Sequence, residues 1–151
     1  MRFKILSVIA VAGLLAACAA PGGGAGGAGG GYAPGSQEDL SVNVGDRVLY
    51  DYDKYELKPE ARYTLQQQAA WMAANQGVKL VIEGHCDERG TREYNLALGE
   101  RRAQAAADYL VVLGVSKDRI KTVSYGKERP EDPGSNDAAW AKNRRAVSVV
   151  Q

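Results

Sequence analysis

Residues 81–103, VIEGHCDERGTREYNLALGERRA, constrain the fold more than any other stretch of the chain. The apolar run Leu80-Val81-Ile82 predicts a strand that stops at Gly84, and a charged, glycine-containing turn follows. Tyr94, Leu98, Ala105, Ala106, Tyr109, Leu110 and Leu113 then recur at three- and four-residue intervals, the period of one buried helix face. Arg102 falls in the middle of that stripe, four residues after Leu98 and four before Ala106. A guanidinium does not give up its charge, so on a core-facing stripe it needs an anion or a set of acceptors. Arg101 and Glu100 fall off the stripe toward solvent and raise no such problem.

The obvious anion is Asp87, just past the strand end and carried back over the helix by the turn. Two readings of these residues stand side by side. In one, Asp87 and Arg102 form a bare structural salt bridge. In the other, each group only half satisfies its partner, and together they recognise a zwitterion: carboxylate on the arginine fork, ammonium on the aspartate. A free amino-acid end is such a ligand.

The elements around this stretch follow in order. A strand is expected over 47–52 (RVLYDY), then a turn at Asp53-Lys54. Asp51 and Tyr52 would close that strand, beside the end of the second strand if the two are neighbours. Pro59 opens a helix to about Asn75, with Leu65, Ala69, Met72 and Ala73 on one face and Gly77 as the stop. Next come a strand over 79–85, the turn 86–92, a helix over 93–113 closed by Gly114, a turn at 116–119 and a strand over 120–124. A loop over 125–135 carries Pro130, Pro133 and Gly134; Asn136 caps a short helix ending near Asn143, and 145–150 is the last strand. This alternation predicts an α/β sandwich, with helices covering one face of a four-stranded mixed sheet.

The first third of the chain reads differently. Arg2 and Lys4 precede a short apolar core, Ile5 to Ala17, the pattern of a secretion signal over residues 1–17. That core is too short for a permanent membrane span, which needs about 20 residues. The end of the core, Leu15-Ala16-Ala17-Cys18, has small residues before a cysteine, which points to lipidation of Cys18 rather than simple cleavage. Residues 18–43 lack apolar periodicity, and half of the 18 glycines lie between Gly22 and Gly35. Such a composition predicts a flexible tether. The folded domain is then expected over 44–151.

Charge and residue types exclude several functions. Without Arg2 and Lys4 the chain carries 17 basic and 18 acidic residues, which argues against nucleic acid as a partner. His85, Cys86 and Asp87 are adjacent metal-ligand types, but the chain has no second histidine, so no metal site is expected. If residues 85–87 continue the strand, His85 and Asp87 point one way and Cys86 the other. A Cys86 nucleophile activated by His85 is then ruled out, and Cys86 is expected to pack against the helices. Asp51, Asp53, Glu83 and Asp87 could be imagined as an acid/base pair, yet nothing in the sequence separates their environments, so no enzymatic activity is expected. No cofactor is expected either.

EGHCDERGTREYNLALGERRA, with DYDKYEL upstream and SYGKERP and NRRAVSV downstream, closely resembles the peptidoglycan-associated lipoproteins of the OmpA-like family, over about residues 44–151. The family's wall-binding pattern N-x-x-L-[SG]-x-x-R-A falls on Asn95, Leu98, Gly99, Arg102 and Ala103. The resemblance implies an OmpA-like βαβαβ(α)β sandwich, and a site in which Asp87 and Arg102 hold the free amino-acid end of diaminopimelate in the peptidoglycan stem peptide. It places Asp51, Tyr52, Thr91, Asn95 and Leu98 around that pocket and Asn143 and Arg144 at its rim, where a solvated charge cluster is the competing reading. Tyr50 stands where the family more often has Phe, and Cys86 where relatives often carry Ala or Thr. Cys18 would carry several acyl chains, and Ala19 after it would send the protein to the outer membrane, facing the periplasm. TolB and the other Tol proteins are the implied partners, at constricting division sites, and the folded domain is expected to be monomeric. A wall-binding lipoprotein acting outside the Tol system is the alternative.

Overall fold

The computed structural model describes residues 31–151. The secretion signal, Cys18 and the first part of the tether lie outside the described residues. Four strands, β1 (Arg47–Leu49), β2 (Leu80–His85), β3 (Ile120–Gly126) and β4 (Arg145–Val150), form one mixed sheet in the order β1-β4-β2-β3. β2 and β3 run parallel, while β4 is antiparallel to both β1 and β2. A parallel pair needs a long crossover, supplied by α3 (Arg92–Val112), which packs on β2 and β3. α2 (Pro59–Ala74) packs against α3 and β1, and α4 (Asp137–Asn143) precedes β4. Helices on a four-stranded mixed sheet are the α/β class that the alternating pattern predicts.

Two expectations are corrected by the topology. β4 lies between β1 and β2, so the first two strands are not neighbours and Asp51 is not brought beside the end of β2 by strand pairing. β1 also stops at Leu49 rather than at residue 52. Tyr50 still donates its N–H to the Arg144 carbonyl at 2.9 Å, but the backbone then turns away. Asp53 adopts a φ of 54° in that turn, and the carbonyls of Asp51 and Lys54 face Arg102.

The core lies between sheet and helices: Val48 from β1, Leu65 and Met72 from α2, Leu80 and Ile82 from β2, Ala103, Ala106 and Leu110 from α3, and Ala146 from β4. The buried face of α3 is turned slightly from the expected stripe. Asn95 and Ala103 are buried, whereas Tyr94 is 49% exposed, because its ring rises over the mouth of a cleft instead of entering the core. Gly84 and Gly99 bring α3 unusually close to β2, since a Cβ on Gly84 would collide with the Gly99 carbonyl. Only glycine allows that approach.

The packed domain also begins before residue 44. α1 (Gln37–Asp39) and the helical turn Leu40–Val44 occupy sequence expected to be tether. Ser36 caps α1 through its hydroxyl, Leu40 is fully buried, and the Trp71 indole N–H donates to Asp39 at 2.7 Å. The Val150 N–H donates to the Gln37 side-chain carbonyl, also at 2.7 Å. Leu40, Val42 and Val44 alternate at every second residue, and Val42 is 62% exposed, so the spacing carries no helical period and pattern alone misses this segment. No described helix is long and apolar enough to cross a membrane.

Candidate functional site

At the C-terminal end of β2 the chain leaves the sheet and crosses the N-terminal half of α3, enclosing a cleft of about 260 Å³. Its walls are Tyr52, Asp53, Cys86, Asp87, Arg89, Gly90, Tyr94, Asn95, Leu98 and Arg102. The strand pairing shifts register between Gly84 and His85. Strict alternation therefore fails, and Cys86 and Asp87 both line the cleft while His85 faces the opposite side of the sheet near Glu83. Burial pushes the Cys86 thiol up to about 11, and its Sγ donates to the Asn95 carbonyl at 3.3 Å.

Arg102 is fully buried, and its charge is met by backbone rather than by a carboxylate. Nε donates to the Lys54 carbonyl at 2.8 Å, one Nη to His85 at 2.9 Å and the other to Asp51 at 3.1 Å. The set of acceptors is therefore the solution, and Asp87 does not pair with Arg102. Three of the five guanidinium N–H groups are used this way, leaving one on each Nη. Burial lowers the pKa of Arg102, yet arginine remains charged at any ordinary pH.

Asp87 pairs with two other arginines. Its Oδ1 accepts the Arg89 backbone N–H at 3.1 Å and Arg89 Nε at 3.2 Å; its Oδ2 accepts an Arg89 Nη at 2.7 Å and an Arg144 Nη at 3.3 Å. Burial pushes the carboxyl up, but the bonds from Arg89 and then Arg144 outweigh it and hold Asp87 below the usual carboxylate range. Arg89 is itself stacked between the Tyr52 and Trp140 rings, 4.1 Å from each centroid. The Trp140 indole N–H donates to Glu88 at 2.9 Å, and Lys127 caps the carbonyls of Glu88 and Gly90. The 86–90 turn is thus clamped from outside the sheet by residues of the 127–140 region.

The remaining expected site residues divide. Tyr52, Asn95 and Leu98 line the cleft, and Asn95 donates to the Arg89 and Thr91 carbonyls at 2.9 and 3.0 Å. Thr91 lies outside the lining and caps α3, its hydroxyl accepting the Tyr94 N–H at 3.2 Å. The Asp51 side chain is exposed beside Lys58, so this residue meets the site through its carbonyl on Arg102. Asn143 is buried beneath the 127–135 loop, its side-chain oxygen accepting the Glu131 and Asp132 N–H groups at 2.7 and 2.9 Å, away from the cleft. Arg144 reaches Asp87 and also donates to the Tyr50 carbonyl at 3.0 Å. Residue pattern missed Arg89, Tyr94 and Trp140. Arg89 could have been found as the cation two residues after Asp87; nothing in the sequence marks Trp140 as its stacking partner.

The OmpA family matches residues 49–144, a span that contains this cleft. The chain belongs to the OmpA family. Among relatives in that family, the peptidoglycan-associated lipoprotein of Rhizobium meliloti (strain 1021) is 53% identical over 117 residues, covering 78% of this chain and 66% of that protein. The chain thus spans about two thirds of the length of that relative. The peptidoglycan-associated lipoprotein of Pasteurella multocida (strain Pm70) is 44% identical over 146 residues, 95% of this chain and 97% of the relative. The crystal structure of the peptidoglycan-associated lipoprotein from Burkholderia pseudomallei is 42% identical with a TM-score of 0.68, over 70% of this chain and 90% of that one. The OmpA-like fold seen here is shared with that structure.

Proposed function

We propose that the folded domain binds diaminopimelate-type peptidoglycan non-covalently and does not cleave it. The observation that carries this reading is a buried carboxylate and a buried guanidinium, Asp87 and Arg102, lining one cleft without pairing to each other. The two N–H groups that Arg102 does not spend on carbonyls would take the carboxylate of the free amino-acid end, and Asp87 its ammonium. Binding without hydrolysis is supported by the same chemistry. Asp87 is held in its ionised form and has no proton to donate at neutral pH, and Glu83 lies beside His85 on the far side of the sheet.

The wider reading rests on the relatives' name and on the sequence. Cys18 would carry the lipid that holds the protein in the outer membrane, facing the periplasm. TolB and the Tol proteins would be its partners during envelope constriction at division. Wall binding outside the Tol system is the second reading, and a TolB pull-down separates the two: a domain that sediments with sacculi but does not capture TolB would rule out the first.

The decisive experiment pairs sacculus sedimentation with thermal melting for Asp87→Ala, Arg102→Ala and Arg102→Lys. Loss of sedimentation is expected in all three, with Arg102→Lys nearly as defective as Arg102→Ala because an ammonium lacks the planar fork. Folded variants that sediment like the wild type would exclude the cleft as the wall site.

A further inference from the structure

We infer that Arg89 is a resident cation that the ligand's ammonium must displace from Asp87, so that this side chain sets both the affinity and the ammonium selectivity of the cleft. The inference rests on the wall-binding reading above and deepens it. A carboxylate offers about four lone-pair sites. Asp87 has all four filled: two on Oδ1 by the Arg89 N–H and Nε, two on Oδ2 by an Arg89 Nη and an Arg144 Nη. With Arg89 in place, an incoming ammonium finds no acceptor there.

Removing the Arg89 side chain from Asp87 opens one site on each oxygen, while the Arg89 backbone N–H and Arg144 remain. An ammonium with three donors can occupy both vacated sites. The exchange needs no unfolding of the turn, because the backbone at 89 is pinned separately by the Asn95 amide on the Arg89 carbonyl at 2.9 Å. The side chain also has solvent to move into. It is about one-third exposed, against 5% for the Asp87 side chain, and its stacking partner Tyr52 is 59% exposed.

Arg102 and Arg89 line the same cleft, and Arg89 is held in it by its contacts with the Tyr52 and Trp140 rings. The Tyr52–Arg89–Trp140 stack holds the occupied state. A ligand then binds with its intrinsic affinity divided by the fraction of molecules in which Arg89 has swung out. A neutral ligand group in place of the Arg89 guanidinium would leave the buried Asp87 with Arg144 as its one remaining cation, at 3.3 Å.

The test is opposite in sign from that of an ordinary contact residue. A diaminopimelate-containing stem tripeptide is titrated calorimetrically into the wild-type domain and into Arg89→Gln, with melting curves to confirm folding. Displacement predicts about three- to tenfold tighter binding by Arg89→Gln. Arg89→Lys, which keeps the charge but loses the fork and the stack, is expected between the two. The gain is expected to disappear for the same peptide with the ammonium of its diaminopimelate end acetylated. Equal or weaker binding by folded Arg89→Gln overturns the inference, as does an equal gain with the acetylated peptide. Failure of the wild type to bind the tripeptide overturns the wall-binding reading itself, and this inference with it.

Discussion

The Tyr50 hydroxyl donates to the Arg102 carbonyl at 2.8 Å, and the Arg102 guanidinium lies 5.3 Å from the centre of the same Tyr50 ring. One tyrosine thus touches both ends of the buried arginine. Burial raises the phenol pKa, the Arg102 charge opposing it, so the hydroxyl stays protonated and remains a donor. Tyr50→Phe keeps the ring and removes one bond to a carbonyl in the middle of α3. A loss of about 1 kcal/mol is expected in urea denaturation, with sacculus binding retained. A loss above about 3 kcal/mol would mean that the ring itself had moved.

The approach of α3 to β2 depends on Gly84 and Gly99. Gly84→Ala would drive a methyl into the Gly99 carbonyl, and neither backbone can yield without shifting a whole element. The cost is expected at about 3 kcal/mol or more by chemical denaturation. Gly77→Ala, where an added Cβ meets nothing within 4 Å, serves as the control and is expected to change stability by less than about 1 kcal/mol. Equal effects at the two positions would overturn the close-approach account.

His85 gives the fold a pH dependence with a defined window. The ring is buried beside Tyr125, and burial, then the charges of Arg145 and Arg129, pushes its pKa down to about 4 despite Glu131. In the unfolded chain histidine titrates near 6.5. Between about 6.5 and 4 the unfolded state takes up a proton that the folded state refuses, so stability falls as pH falls; below about 4 both states are protonated and the slope ends. The difference is worth up to about 3 kcal/mol. His85→Phe is expected to remove this part of the pH dependence between pH 7.5 and 4.5. Matching slopes for variant and wild type would show that His85 is not the group responsible.

Element type and order were legible along most of the chain. The 3.6-residue stripe after Gly84, Pro59 at a helix start, and Asn136 as a cap all reflect local backbone and side-chain chemistry, which any short window of sequence carries. The buried position of Arg102 was equally readable, because a cation inside an apolar stripe stands out. Its partners were not. Acceptors for that guanidinium come from the carbonyls of Asp51, Lys54 and His85, and backbone carbonyls are the same for every residue type, so no pattern of side chains announces them. The choice of Arg89 over Arg102 for Asp87 likewise depended on the register shift at His85 and on Trp140, more than fifty residues downstream of Asp87, arriving over the turn. Sequence by itself determined the α/β class, the strand–turn–helix unit and the two buried charges of the cleft. Only the tertiary structure decided that β4 separates β1 from β2, that Leu40 extends the core, and which arginine neutralises Asp87, because each depends on groups distant in sequence meeting at distances that local periodicity does not encode.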